Sequence, residues 1–249
     1  IRDITMKQYK TVIKIMQENG GYATLGYLNQ NVLKIKDCEW KTKTPFASIR
    51  RIVQDDRFFF KIRPGLWALK EYKDKLPREI LQKEDVPIEK KVEYSHTFYQ
   101  GLLVEIGNIN NYQTFVPNQD KNKIFLNKKL GEIAKLTNIY QFSYNNFVQR
   151  VKTIDVVWFN NRNMPSKLFE VEHSTDFERS FIKFAELQDF YVELYIVADR
   201  NKKREYENRL NQVVFNSISR KIKFIDYEKL SEWHTNEYKL YIIRKQVNI

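Results

Sequence analysis

Apolar residues recur at helical spacing through Tyr9, Val12, Ile13 and Met16, and Asn19-Gly20-Gly21 ends that run. Leu25 and Leu28 predict a short second helix. Thr44-Pro45 reads as a third helix start, with Thr44 as cap and Pro45 in the first turn. Phe46, Ile49, Ile52 and Val53 form its apolar stripe, and Arg50 and Arg51 fall beside it, so at least one should reach solvent. Phe58 to Ile62, then Arg63-Pro64-Gly65, then Leu66 to Leu69 read as strand, turn and strand.

Residues 71–92 are highly charged and carry Pro77 and Pro87, which marks a linker. The expected organisation is a first domain over 1–75, a linker over 76–92 and a second domain over 93–249. Beyond the linker, helix and strand patterns alternate. Helices are predicted over His96–Gly107, Gly131–Thr137, Phe177–Tyr191, Asn201–Phe215 and Tyr227–Trp233. Strands are predicted over Tyr112–Val116, Ile154–Phe159, Lys167–Glu172, Leu194–Ala198 and Ile222–Ile225. Leu194–Ala198 is apolar throughout, as in a strand covered on both faces. Interleaved strands and helices predict an α/β domain with a mixed sheet.

Composition narrows the function classes. The 249 residues are 42% hydrophobic and 14% aromatic, enough for a true core. No apolar run approaches the roughly 20 residues of a membrane span, and Ile1 to Gln8 carries no signal-peptide core. A single cysteine, Cys38, allows neither an internal disulfide nor a cysteine-based zinc site, and a reducing bacterial cytoplasm is the expected compartment. Only His96, His173 and His234 could offer imidazole, and they are far apart in sequence. A metal would then be held by oxygen, which favours magnesium. The net charge of +12 suits an acidic partner, nucleic acid before an anionic membrane. Residues 1–80 hold 17 Lys/Arg against 9 Asp/Glu, so two-thirds of the excess lies there. The competing explanation is a lysine-rich coding bias without functional meaning.

Three helices and a hairpin make a winged helix-turn-helix. The run from Thr44-Pro45 through Ile49, Ile52, Asp56 and Phe58 to Gly65-Leu66-Trp67-Ala68-Leu69 resembles the HARE-type version, found fused to restriction endonucleases and chromatin proteins, over about residues 3–70. In such folds the third helix commonly enters the major groove and the wing touches the backbone. The resemblance makes Ser48, Arg50, Arg51, Lys61 and Arg63 candidate DNA contacts. Solvated charges on a protein-binding domain are the alternative.

The chemistry is concentrated in two neighbouring strands. Asp155 lies in the apolar run Ile154 to Phe159, and Glu170 and Glu172 flank Val171 in the next one. Residues i and i+2 share a strand face. If the strands pair antiparallel, the three carboxylates meet at one end of the sheet. There they repel one another and raise each other's pKa, a penalty that a divalent cation removes. The pattern Asp155-x14-Glu170-Val171-Glu172 resembles the PD-(D/E)XK nuclease superfamily over about residues 95–200. It departs from the common form in two places: Glu172 stands where lysine is most frequent, and Ile154 replaces the leading proline. A minority of restriction endonucleases carry the Glu-x-Glu form.

The resemblance implies that Asp155 and Glu170 ligate magnesium, with the Val171 carbonyl as a third protein ligand. It implies that the ion polarises the scissile phosphate and acidifies a bound water, and that Glu172 orients or deprotonates that water or binds a second ion. The products would be a 5′-phosphate and a 3′-hydroxyl. Glu105, on the helix before the sheet, is the candidate for an additional acid, against an exposed helix carboxylate. His173 is either a phosphate contact or a packing residue, and His96 and His234 read as structural. In the loop before the catalytic strands, Gln113, Asn118, Gln119, Lys121 and Lys123 could read base edges or phosphates, or simply be solvated.

The leading expectation is therefore a magnesium-dependent, site-specific endonuclease acting on double-stranded DNA, with a homodimer matching a palindromic target. A nuclease dependent on a methylated base is the variant within that class. A DNA-binding regulator with a silent nuclease fold is the rival from another class, and a peripheral membrane or protein-binding module is the third.

Overall fold

A computed structural model describes residues 6–82, 85–174 and 176–247. Residues 83–84 of the expected linker, and the ends 1–5 and 248–249 of the expected domains, lie outside the described residues. Two compact units divide the chain: Ile1–Asp85 with Ser231–Ile249, and Val86–Leu230.

In the first unit, α1 (Gln8–Glu18), β1 (Tyr22–Thr24), α2 (Leu25–Asn31), α3 (Pro45–Ile52), β2 (Phe59–Arg63), β3 (Leu66–Leu69) and α4 (Arg78–Leu81) follow in order. Gly20 and Gly21 end α1 at φ of 81° and 90°, a region that glycine enters without a Cβ penalty. Thr44 precedes α3, but its side chain makes no cap bond. Its hydroxyl meets that of Thr42 at 3.3 Å instead. β1 pairs with β3, which sequence periodicity does not predict because β1 has only three residues, all of them buried. Val12, Met16, Leu28, Ile49, Val53 and Phe59 interlock as the core.

The second unit begins with α5 (Ile88–Ile109), longer than predicted and reaching back over the expected linker. Then come β4 (Gln113–Phe115), β5 (Ile124–Phe125), β6 (Lys128–Lys129), α6 (Leu130–Ile133), α7 (Asn145–Val151), β7 (Val156–Phe159), β8 (Pro165–Glu172), α8 (Glu178–Glu186), β9 (Glu193–Ala198), α9 (Lys203–Leu210), β10 (Ile222–Asp226) and the start of α10 (Tyr227–Gln246). The helix expected over 131–137 shrinks to α6, and α7 has no counterpart among the predicted helices. α10 runs 13 residues past its expected end at Trp233. Among the described residues, no helix is long and apolar enough to cross a membrane.

Five strands form a mixed sheet in the order β10-β9-β8-β7-β4. β7 and β8 are antiparallel, whereas β8, β9 and β10 run parallel. The α/β class with a mixed sheet is thus observed. The β7–β8 turn takes Asn163 through φ 61°, and the Asn160 backbone closes it through bonds to Met164 and Asn163. Val157, Phe159, Leu168, Leu194 and Ile196 join Phe181 and Phe184 of α8 and Tyr206 and Leu210 of α9 in one core. The opposite face meets α5, where the Trp158 indole N–H donates to the Leu103 carbonyl at 3.1 Å. Both faces are covered, which explains why Leu194–Ala198 of β9 is apolar throughout.

Candidate active site

Along β8 the side chains of Leu168, Glu170 and Glu172 point to the α8 face, one strand period apart. Leu168 belongs to the core, so the carboxylates begin where that apolar row ends. Asp155 immediately precedes β7 and does not lie within it. Val156 pairs with Phe169, and one further step of this antiparallel ladder sets Asp155 against Glu170. The Val171 N–H donates to Asp155 Oδ2 at 2.8 Å. The sheet therefore does bring the three predicted carboxylates to one end.

Two further groups complete the cluster, both from α8. Lys183 Nζ donates to Glu170 Oε1 and Oε2, each at 2.8 Å, and to the Thr153 carbonyl at 3.0 Å. The Ser180 hydroxyl contacts Glu170 Oε2 at 3.1 Å and also bonds Glu172 Oε1. Sequence reading missed both. Ser180 and Lys183 stand one turn apart on an amphipathic helix that also carries Glu178, Arg179 and Glu186, so nothing local sets the pair apart.

α5 supplies the other wall. His96 Nε2 lies 3.5 Å from Asp155 Oδ2. Gln100, fully buried, donates from Nε2 to Asp120 Oδ2 at 2.9 Å and to the Asp155 carbonyl at 3.1 Å. Lys123 Nζ stands 2.7 Å from Asp120 Oδ1. His96, expected to be structural, therefore lines the site. Its spacing from the acids, about 60 and 75 residues, hid it from sequence reading.

The electrostatics are those of crowded acids. Glu170 is 3% exposed and Asp155 9%. Burial, reinforced by the Asp155 charge, pushes Glu170 well above the usual carboxylate range, and Lys183 opposes that shift only partly. Burial also raises Glu172, against the bond from Ser180. Asp155 goes the other way: burial disfavours its charge, but His96 and the Val171 N–H hold its carboxyl below the ordinary value. His96 is correspondingly raised, because Asp155 outweighs the cost of burial.

The carboxylates open onto a cleft of about 370 Å³, lined also by Gln119, His173, Arg179 and Lys183. Arg179 is exposed there. His173 is held by the Tyr227 hydroxyl, 3.0 Å from Nδ1, and that hydroxyl also donates to the Glu172 carbonyl at 3.0 Å. Glu105 does not line the cleft. Nine residues beyond His96, it lies half a turn round α5. Gln113 is tied to Asn163 and Tyr140, and Lys121 to the Thr137 carbonyl, while Asn118 is exposed. Of the candidate loop, Gln119 and Lys123 stand beside Asp155.

In the first unit, Arg50, Arg51 and Lys61 are exposed and Ser48 is half-buried. Arg63 points back into its own unit, donating from Nη2 to the Ile80 carbonyl at 3.1 Å. His234 is buried beside Gly26.

Carboxylates converging with a lysine and a serine at an open cleft offer oxygen ligands that could hold a cation, next to donors that could meet a phosphate. Residues 75–247, more than two-thirds of the chain, match the family model described as the type II restriction enzyme NmeDI C-terminal domain. No curated protein and no solved structure matches the chain.

Proposed function

The chain belongs to the NmeDI C-terminal domain family of type II restriction enzymes, and we propose that it is a type II restriction-type endonuclease that hydrolyses double-stranded DNA at a specific sequence, with magnesium as cofactor and PD-(D/E)XK chemistry. The observation that carries this reading is the meeting of Asp155, Glu170 and Glu172 at one sheet end under Lys183. The donor set suits magnesium: buried carboxylate oxygens whose mutual repulsion a single lysine only partly offsets. Asp155 and Glu170 would hold the ion, with the Val171 carbonyl as third ligand. Magnesium, when bound, supplies Lewis-acid polarisation of the phosphate and makes water more acidic.

The chain's own groups divide the remaining work. Asp155 keeps its charge, because His96 and the Val171 N–H favour the ionised form. Glu172, half-exposed at the cleft and bonded by Ser180, is placed to orient water and accept its proton. Lys183 occupies the role of the lysine absent at position 172. It stands within reach of a phosphate oxygen held at Glu170 and offsets charge there. Arg179 and Gln119 on the cleft wall are placed to contact the DNA backbone. The product would carry the 5′-phosphate.

In the first unit, helices and a hairpin with exposed Arg50, Arg51 and Lys61 support a winged helix that captures DNA, with α3 in the major groove. A methylated-base requirement is the variant that this unit would impose. A homodimer and a cytoplasmic setting remain part of the proposal.

The test is digestion of a sequenced plasmid with magnesium, with fragment ends mapped, beside Glu170→Gln. Discrete 5′-phosphorylated ends are expected. Glu170→Gln should lose at least about 10³-fold in rate, the several kcal/mol that the centre supplies, and still bind DNA. Full activity in that variant would sink the ligand assignment.

A further inference from the structure

We propose that His96, Asp120 and Asp155 form a second divalent-cation site, one that selects a transition-metal ion such as Mn²⁺ over magnesium or calcium. It goes beyond the magnesium reading and depends on it only through Asp155, which the two sites would share.

The three side chains come from separate places: His96 from α5, Asp120 from the loop after β4, and Asp155 from the residue just before β7. Each offers one ligand atom, and these atoms all lie within 4.8 Å of one another. Ligands bound at about 2.0–2.2 Å stand up to roughly 4.4 Å apart across one ion, so small side-chain rotations close the set. Two carboxylates and one imidazole suit Mn²⁺ better than magnesium or calcium, because a transition-metal ion takes a nitrogen ligand more readily than those two do. A second cleft, about 290 Å³ in volume, opens onto the same three residues.

Gln100 points to a ligand independently. Its side chain is fully buried, and its Nε2 reaches into the cluster to hold both Asp120 and the Asp155 backbone. Its Oε1 is buried without any hydrogen-bond partner among the described residues. A buried orphan acceptor is unusual in a folded protein. Water carried by a cation at His96, Asp120 and Asp155 would donate to it, the arrangement by which outer groups commonly fix a metal site.

Lys123 then acquires a definite role. Its ammonium rests 2.7 Å from Asp120 Oδ1, where it supplies the positive charge that the cation would otherwise bring. Its side chain is 28% exposed, so it can turn out to solvent when an ion arrives. Lysine and ion compete for one carboxylate.

The experiment is a titration of the full chain with Mn²⁺, without DNA, reading free ion by electron paramagnetic resonance. The wild type should bind two ions. His96→Ala and Asp120→Asn should each weaken one of them by at least about tenfold. Glu170→Gln should lose the other ion and keep this one. Unchanged number and affinity in both His96→Ala and Asp120→Asn would overturn the proposal. If only Glu170→Gln leaves binding unchanged, the magnesium assignment fails and this one stands. Lys123→Met guards against a merely misfolded His96 variant: removing the competitor should tighten Mn²⁺ binding severalfold, and unchanged or weaker binding overturns the proposal.

Discussion

Lys183 Nζ sits 2.8 Å from both carboxylate oxygens of Glu170, inside a cluster where both side chains are largely buried. A helix cation thus answers a strand anion across the α8–β8 packing. The pair joins the fold to its chemistry, because the same ammonium that makes Glu170 tolerable also faces the cleft.

Replacing Lys183 by Met should therefore hurt twice. Removing one partner of a buried pair costs about 3–5 kcal/mol, an upper bound here because Glu170 can escape by taking up a proton. Cleavage should fall by about 10² or more. Chemical denaturation and single-turnover cleavage measure the two losses. A stable variant with undiminished cleavage would remove Lys183 from the site.

The exposed arginines of α3 should differ from Arg63. Replacing Arg50 and Arg51 together by Ala should weaken DNA binding and lower the salt slope by about 2, roughly one for each phosphate no longer engaged. Arg63→Ala should leave that slope alone, since its guanidinium is engaged by the Ile80 carbonyl. Fluorescence anisotropy across a salt series checks both. A double variant with wild-type salt dependence would favour a protein-binding role for this unit.

Gly107 lets α5 approach the sheet closely. A Cβ there would stand 2.5 Å from Thr114 Cγ2 and 2.7 Å from the Trp158 Nε1. Gly107→Ala should then destabilise by about 1–3 kcal/mol through overpacking, read as a lowered Tm. No loss of stability would show that α5 can shift at small cost.

Asp55 should titrate unusually low. Hydrogen bonds from Arg57 hold its carboxyl at about 2, below the ordinary 3.8. Its contribution to stability is present above the ordinary value and disappears as pH falls through about 2. Arg57→Ala should bring the midpoint back up, as carboxyl NMR would record. An unmoved midpoint would assign the shift to another cause.

Much of this arrangement was legible in the sequence, for physical reasons. The trio showed because charged residues in apolar strands are costly, and Asp155, Glu170 and Glu172 are close enough in sequence to meet across one hairpin. The mixed sheet showed through its apolar runs. His96, Asp120 and Lys183 were not legible as site residues, because nothing local distinguishes a helix lysine or a loop aspartate from a solvated one. They acquire meaning only when α5 and α8 pack on opposite faces of the sheet. α7 escaped because it has only seven residues, and the long end of α10 because its apolar residues bunch at 240–243 instead of recurring at helical spacing.

The grouping of Ser231–Ile249 with the N-terminal unit has a practical outcome. At Gly26 an added methyl would collide with Tyr238, and at Gly65 with Ser231. A fragment trimmed near residue 85 would bare those surfaces and forfeit part of its own interior. Anyone isolating the proposed DNA-capture module should splice the terminal helix back onto it, as one does with a discontinuous fold.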